Sequence, residues 1–279
     1  MEGRSVATGQ GMIRSVCWIL IGLAALTLAG TAQARDYITL ASTTSTEQSG
    51  LFQHIIPKFS EATGIDVRVI AVGTGQAFAL ARRGDVDSLL VHDPVGERAF
   101  VEAGYAVERR DVMYNDFVLI GPADDPADVG HADDIADALQ RIAGARAPFT
   151  SRGDDSGTHR AEQRLWQAAG IAPSGRWYRA LGGGMGPTLN TAAAMDAYVL
   201  SDRATWVAFD NRQRLEILFQ GDEALHNPYG TLLLSAERHP HLNHERARQW
   251  HEWLLSETGQ SAIARYTLRG ERLFFPNAD

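Results

Sequence analysis

Hydroxyls, glycines and an arginine gather at four places in this 279-residue chain, and all are groups that donate hydrogen bonds to an anion. Ser42-Thr43-Thr44-Ser45-Thr46 is an unbroken hydroxyl run, and Gly73-Thr74-Gly75 is a short turn. Arg152-Gly153-Asp154-Asp155-Ser156-Gly157-Thr158 opens on a guanidinium, and Gly182-Gly183-Gly184-Met185-Gly186-Pro187-Thr188 bares its backbone. Serine and threonine cap helices, so one alone before a helix reads as a cap, but the run exceeds what one cap needs. Gly73-Thr74-Gly75 lacks the third glycine and the following acid of a dinucleotide fingerprint, and alone reads as a turn with close backbone approach. Arg152 at the head of a hydroxyl-bearing loop favours a planar, two-pronged clamp on an oxyanion. The candidate donors are Ser42, Thr43, Thr44, Ser45, Thr74, Arg152, Ser156 and Thr158. Behind them stand Gly75, Met185, Gly186 and Tyr198, whose hydroxyl follows the glycine-rich loop on the same expected helix.

Each cluster lies between a short apolar, β-rich run and a helical period, the pattern of an α/β protein with mainly parallel sheets. Strands are expected at 37–41, 66–72, 88–92, 147–151, 177–181 and 206–209, and helices at 47–59, 76–83, 133–142, 158–169 and 189–200. Pro187 is expected as the first residue of the last of these helices. The apolar run 112–121 and a second crossing at 215–234 join two α/β halves as a hinge, and 245–265 is expected to pack back on the first half. In open α/β sheets ligands sit beyond the carboxyl ends of strands, where helix N-termini carry about +0.5 of a charge. The expected ligand is therefore a small anion held between two lobes.

The composition, 44% hydrophobic and 22% charged, suits a folded globular chain. A formal charge of -8 opposes binding to a phosphate backbone, so nucleic acid is not expected as a partner. Arg4 and Arg14, the apolar run 16–26 and Ala32-Gln33-Ala34 read as an export signal over 1–34, cleaved after Ala34. The lone cysteine, Cys17, falls inside that signal, which suits a periplasmic protein without disulfides. Lys58 is the only lysine. No Gly-x-Ser-x-Gly elbow or Walker loop is present, so no enzyme is expected. His239, His241, His244 and His251 lack zinc-site spacing and read as a solvated surface, with no metal or cofactor implied. Phe52, Phe59, Trp250 and Trp253 fall on apolar helix faces and are expected in the core.

Several stretches in order carry a family resemblance: 40–46 with Ser49-Gly50-Leu51, Val72-Gly73-Thr74-Gly75-Gln76-Ala77, Val91-His92-Asp93, Val112-Met113-Tyr114-Asn115-Asp116-Phe117, and Ser151 through His159. Together the chain after residue 34 resembles the periplasmic tungstate-binding proteins of tungstate ABC transporters. The resemblance implies a class II periplasmic-binding-protein fold, with residues 35–117 and 227–279 as lobe I and 118–226 as lobe II. It implies an oxyanion held by Ser42, Thr43, Thr44, Ser45 and Arg152, with tungstate or molybdate as ligand, a membrane permease as partner and a monomer as the working form. The family often has threonine where this chain has Ser42. The 152–158 loop also resembles that of phosphate-binding proteins, in which an aspartate accepts the proton of hydrogen phosphate. An oxyanion sensor that transports nothing would share the fold. The two ligand classes separate on one point. A fully deprotonated anion wants donors only, whereas Asp154 or Asp155 facing the ligand favours phosphate.

Overall fold

Alternation along the strands sets the architecture. In β1 (Tyr37–Thr43), Ile38 and Leu40 point to one face of the sheet and Ala41 to the other, and all three are fully buried. The computed structural model describes residues 36–278, so the expected export signal and Cys17 lie outside the described residues. β1 pairs in parallel with β2 (Asp66–Val72) and with β3 (Ser88–Val91). β4 (Ala106–Pro122) is the long element. Its first part pairs with β9 (His226–Leu234), and its last part pairs with β7 (Tyr198–Asp202) and β8 (Leu215–Phe219). Beyond β7 lie β5 (Phe149–Ser151) and β6 (Tyr178–Ala180), giving the order β2-β1-β3-β9-β4-β7-β5-β6.

Helices cover both faces. α1 (Thr44–Gln48) and α2 (Leu51–Thr63) follow β1, separated by Gly50 at φ 82 where a single helix over 47–59 is expected from the periodicity. α3 (Thr74–Arg83) follows β2, and α4 (Pro94–Glu102) follows β3. α5 (Ile135–Ala145) precedes β5, α6 (Gly157–Ala168) follows it, and α7 (Met185–Met195) follows β6. α9 (His244–Leu255) and α10 (Glu257–Ala264) bring Trp250, Trp253 and Ile263 into one cluster with Ile38, Phe52 and Phe59, as the aromatic pattern predicts. Phe59 is edge-on to Trp250 at 5.0 Å, and truncating such a ring costs about 3–5 kcal/mol. A separate cluster packs Phe149 and Leu200 against Ile142, Leu165 and Trp166.

The structure corrects four expectations. The helix placed at 189–200 stops at Met195, because Asp196 turns left-handed at φ 48, and Tyr198 to Asp202 become a buried strand. The strand placed at 206–209 is instead α8 (Arg203–Ala208), started by Asp202, whose carboxylate accepts from Thr205 N. Pro187 is not the first residue of α7, which begins two residues earlier at Met185. Finally, the histidine group is a solvated surface only in part: His241 is exposed and His239 and His244 are half-buried, but His251 is 2% exposed beside Thr231.

Candidate ligand-binding site

Six strands lead, directly or through a short loop, into helices: β1 into α1, β2 into α3, β3 into α4, β5 into α6, β6 into α7 and β7 into α8. Contacts between these loops show which ones meet. A side chain added at Gly75 would run into the carboxylate of Asp155, and one at Gly73 would come within 3.7 Å of the Asp154 carbonyl. Gly157 packs flat on His92, where a Cβ would lie 2.6–3.0 Å from ring atoms. On its edge His92 points Nε2 at Ser45 Oγ, 3.5 Å away. Gly183 N donates to the Arg152 carbonyl at 3.0 Å, bringing in the glycine-rich loop. All four clusters singled out in the sequence therefore converge.

The hydroxyls divide by what already holds them. Thr43 caps α1, its Oγ1 accepting from Thr46 N at 3.3 Å and lying 2.7 Å from Thr46 Oγ1 and 3.1 Å from Ser45 Oγ. Ser42 is fully buried and donates to the Leu90 carbonyl at 2.6 Å, so its hydrogen ties β1 to β3. Thr44 is half-buried in the first turn. Ser156 caps α6 by accepting from His159 N at 3.2 Å. Thr74 and Thr158 differ from the rest, because the hydroxyl of each is buried with no hydrogen-bond partner.

Charge in the 152–158 loop is matched by Arg152 within it and by Arg160 just beyond it. Arg152, 3% exposed, donates from Nη2 to Asp154 Oδ2 at 2.6 Å and from Nε to the same oxygen at 3.2 Å. The other oxygen of Asp154 accepts from Ser156 N at 3.2 Å. Asp155 takes a two-pronged contact from Arg160 at 2.9 and 2.8 Å, which holds its carboxyl below the usual carboxylate range and Arg160 above its own. Arg160 also reaches Asp93 at 2.8 Å, and Arg164 reaches the other oxygen of Asp93 at 3.0 Å. Beneath the loop, burial pushes Glu162 up to about 7 while it accepts from Tyr178 OH and Trp166 Nε1.

Two of the secondary candidates have other partners. Tyr198 does not close the site: its hydroxyl donates to Asp125 at 2.7 Å and accepts from Ala127 N at 2.9 Å, because the residue sits on β7 and not on a helix. The side chain of Met185 is buried in a core cluster with Leu189 and Val199, whereas Gly186 faces open space at the same helix start. His92 and Asp93 were not among the residues singled out as candidates. Their sequence signal is the Val91-His92-Asp93 stretch of the family resemblance, at the end of the strand expected at 88–92. His92 also borders a cavity of about 970 Å³, together with Asn115, Phe117, Arg164, Arg203 and His226.

The PBP superfamily domain matches residues 27–258. The chain belongs to the PBP superfamily. Within it, the chain is 44% identical over 250 residues to the tungstate-binding protein TupA of Peptoclostridium acidaminophilum, covering 88% of this chain and 87% of that one. It is 47% identical over 246 residues to a putative ABC transporter anion-binding protein of Haloferax volcanii, covering 86% of this chain and 72% of that protein. Among solved structures, the tungstate-binding protein TupA from Desulfovibrio alaskensis G20 superposes with a TM-score of 0.76 at 41% identity, covering 88% of this chain and all of that one. The resemblance to the tungstate-binding family and the binding-protein fold that it implies both hold for this PBP member.

Proposed function

We propose that this protein captures tungstate, with molybdate as its nearest analogue, between two lobes in the periplasm and delivers it to the permease of an ABC importer. It does so as a monomer and without a covalent step. The observation that carries the choice of ligand is the engagement of both acids in the 152–158 loop. Both oxygens of Asp154 accept, from Arg152 and Ser156 N, and both oxygens of Asp155 accept from Arg160. Each carboxylate is thus turned towards an arginine of this chain with one or more of its lone pairs already used, which disfavours the proton of hydrogen phosphate as a partner, whereas a fully deprotonated anion needs only donors. Thr43, Thr44, Ser45, Thr74, Ser156, Thr158 and Arg152, with backbone N–H groups at Gly75 and Gly186, supply them. Ser42 contributes by holding the loop.

Size sets selectivity. A larger anion can meet all the donors of a cavity that leaves sulfate short, and each buried bond left unmade costs about 1–3 kcal/mol. The two lobes, 35–117 with 227–279 and 118–226, close over the ligand about the 112–121 and 215–234 crossings. Calorimetry against tungstate, molybdate, sulfate and phosphate tests the assignment. Tungstate should bind most tightly and phosphate not at all. Binding of phosphate in preference to tungstate would refute it. Small-angle scattering should show a smaller radius of gyration with tungstate, and an unchanged radius would refute closure.

A further inference from the structure

His92 is 2% exposed and gripped from every side. Its ring stacks on Tyr229 of β9 at 4.9 Å, faces Phe117 of β4 at 6.4 Å, and is covered by Gly157 at the start of α6. The amide chain behind it fixes where its proton sits. Asn227 Nδ2 donates to Asn115 Oδ1 at 2.6 Å, so Asn227 Oδ1 is an acceptor, and His92 Nδ1, 3.0 Å away, carries a hydrogen. In the neutral ring Nε2 is then a lone pair facing Ser45 Oγ at 3.5 Å, where it competes for the Ser45 hydrogen with Thr43 Oγ1 at 3.1 Å. That geometry suits the ligand-free site and opposes an anion, since it withdraws a donor and presents a lone pair.

We propose that His92 takes up one proton as the oxyanion binds, so that Nε2–H donates to Ser45 Oγ and the Ser45 hydroxyl is released to donate to the ligand. The inference rests on the reading of this site as a tungstate site. Charge supports it, because Arg152 is already matched by Asp154, and an entering dianion calls for a further cation. The charged groups facing the ring are Asp202 from β7 and Asp93 from its own loop, which favour the cation, and Arg152, which opposes it. Burial outweighs these and holds the free imidazole below its ordinary range, neutral at the pH where binding begins. His92 is thus a positioning residue. It acts on the anion through Ser45.

The test is tungstate calorimetry at about pH 8 in buffers of different ionisation enthalpy, where tungstate itself carries no proton. The parent should take up close to one proton per tungstate, and its Kd should rise by up to about tenfold per pH unit in this range. His92→Gln should bind more weakly, with no uptake and a flat pH profile. Normal tungstate binding with no uptake by the parent, or uptake that survives in His92→Gln, would overturn the proposal. Absence of tungstate binding altogether would instead overturn the tungstate reading. Should His92→Gln fail to fold, carbon-labelled histidine in the parent decides. One ring should pass from neutral to protonated shifts on adding tungstate, and unmoved histidine resonances would sink the idea.

Discussion

Arg152 and Asp154 hold each other within one loop, with Nη2 2.6 Å from Oδ2, the arginine buried and the aspartate half-buried. The acid fixes the direction of the guanidinium. Arg152→Ala should therefore fold and lose about 2–5 kcal/mol of tungstate affinity. Arg152→Lys, which keeps the charge and loses the planar fork, should fall between the two. Titration with a circular dichroism check gives the order, and parental affinity in folded Arg152→Ala would remove the clamp.

Thr74 and Thr158 carry buried hydroxyls without partners. Replacing either by valine keeps the shape and removes an unsatisfied polar atom. The ligand-free protein should gain roughly 1 kcal/mol of stability, while tungstate affinity drops by about 0.5–1.5 kcal/mol. Opposite signs in thermal melts and titrations are the signature. A loss in both would make the hydroxyls structural.

Asp93 takes Arg160 and Arg164 on separate oxygens and is itself 1% exposed. All three belong to a clasp between the loop after β3 and helix α6. Asp93→Asn should cost roughly 1–3 kcal/mol, less than a fully buried pair, because both arginines keep contact with water. Tungstate should leave the variant faster, and stopped-flow release rates at low and high salt would show it. An unchanged rate would exclude Asp93 from closure.

Glu162 is held at about 7 against an ordinary 4.5 by burial, so between these values the folded chain keeps a proton that the unfolded chain has lost. Stability from this group is full below about pH 4.5 and is lost as pH rises towards 7, by up to about 3 kcal/mol. Glu162→Gln keeps an oxygen for Tyr178 and should abolish that loss. Melting curves should coincide with the parent at acid pH and lie higher at about pH 8. Parallel profiles for the two proteins would contradict the raised pKa.

The loops that form the site were legible because each is written in consecutive residues: hydroxyls after β1, glycines after β2 and β6, arginine after β5. Periodicity also located most helices, since Phe52, Phe59 and Trp250 must be buried wherever the chain runs. What escaped was made by distance. His92 draws its partner from Asn227, 135 positions away, and Asp93 draws its from 67 and 71 positions away. Tyr198 failed for a different reason: Ala192 to Leu200 contains no glycine or proline, and only the left-handed turn at Asp196 ends the helix before it. Ser42 was legible as a hydroxyl but not as one whose hydrogen belongs to Leu90.

Lys58 is the only lysine of the chain, and it stands exposed on α2, the helix that follows the hydroxyl-rich turn. Every other basic side chain is an arginine or a histidine. Amine-directed chemistry therefore finds a single side chain, besides the terminal amine. A fluorophore coupled there would ride on the helix that follows the turn holding Ser45. The protein could thus become an optical reporter of its own ligand, with no cysteine to introduce.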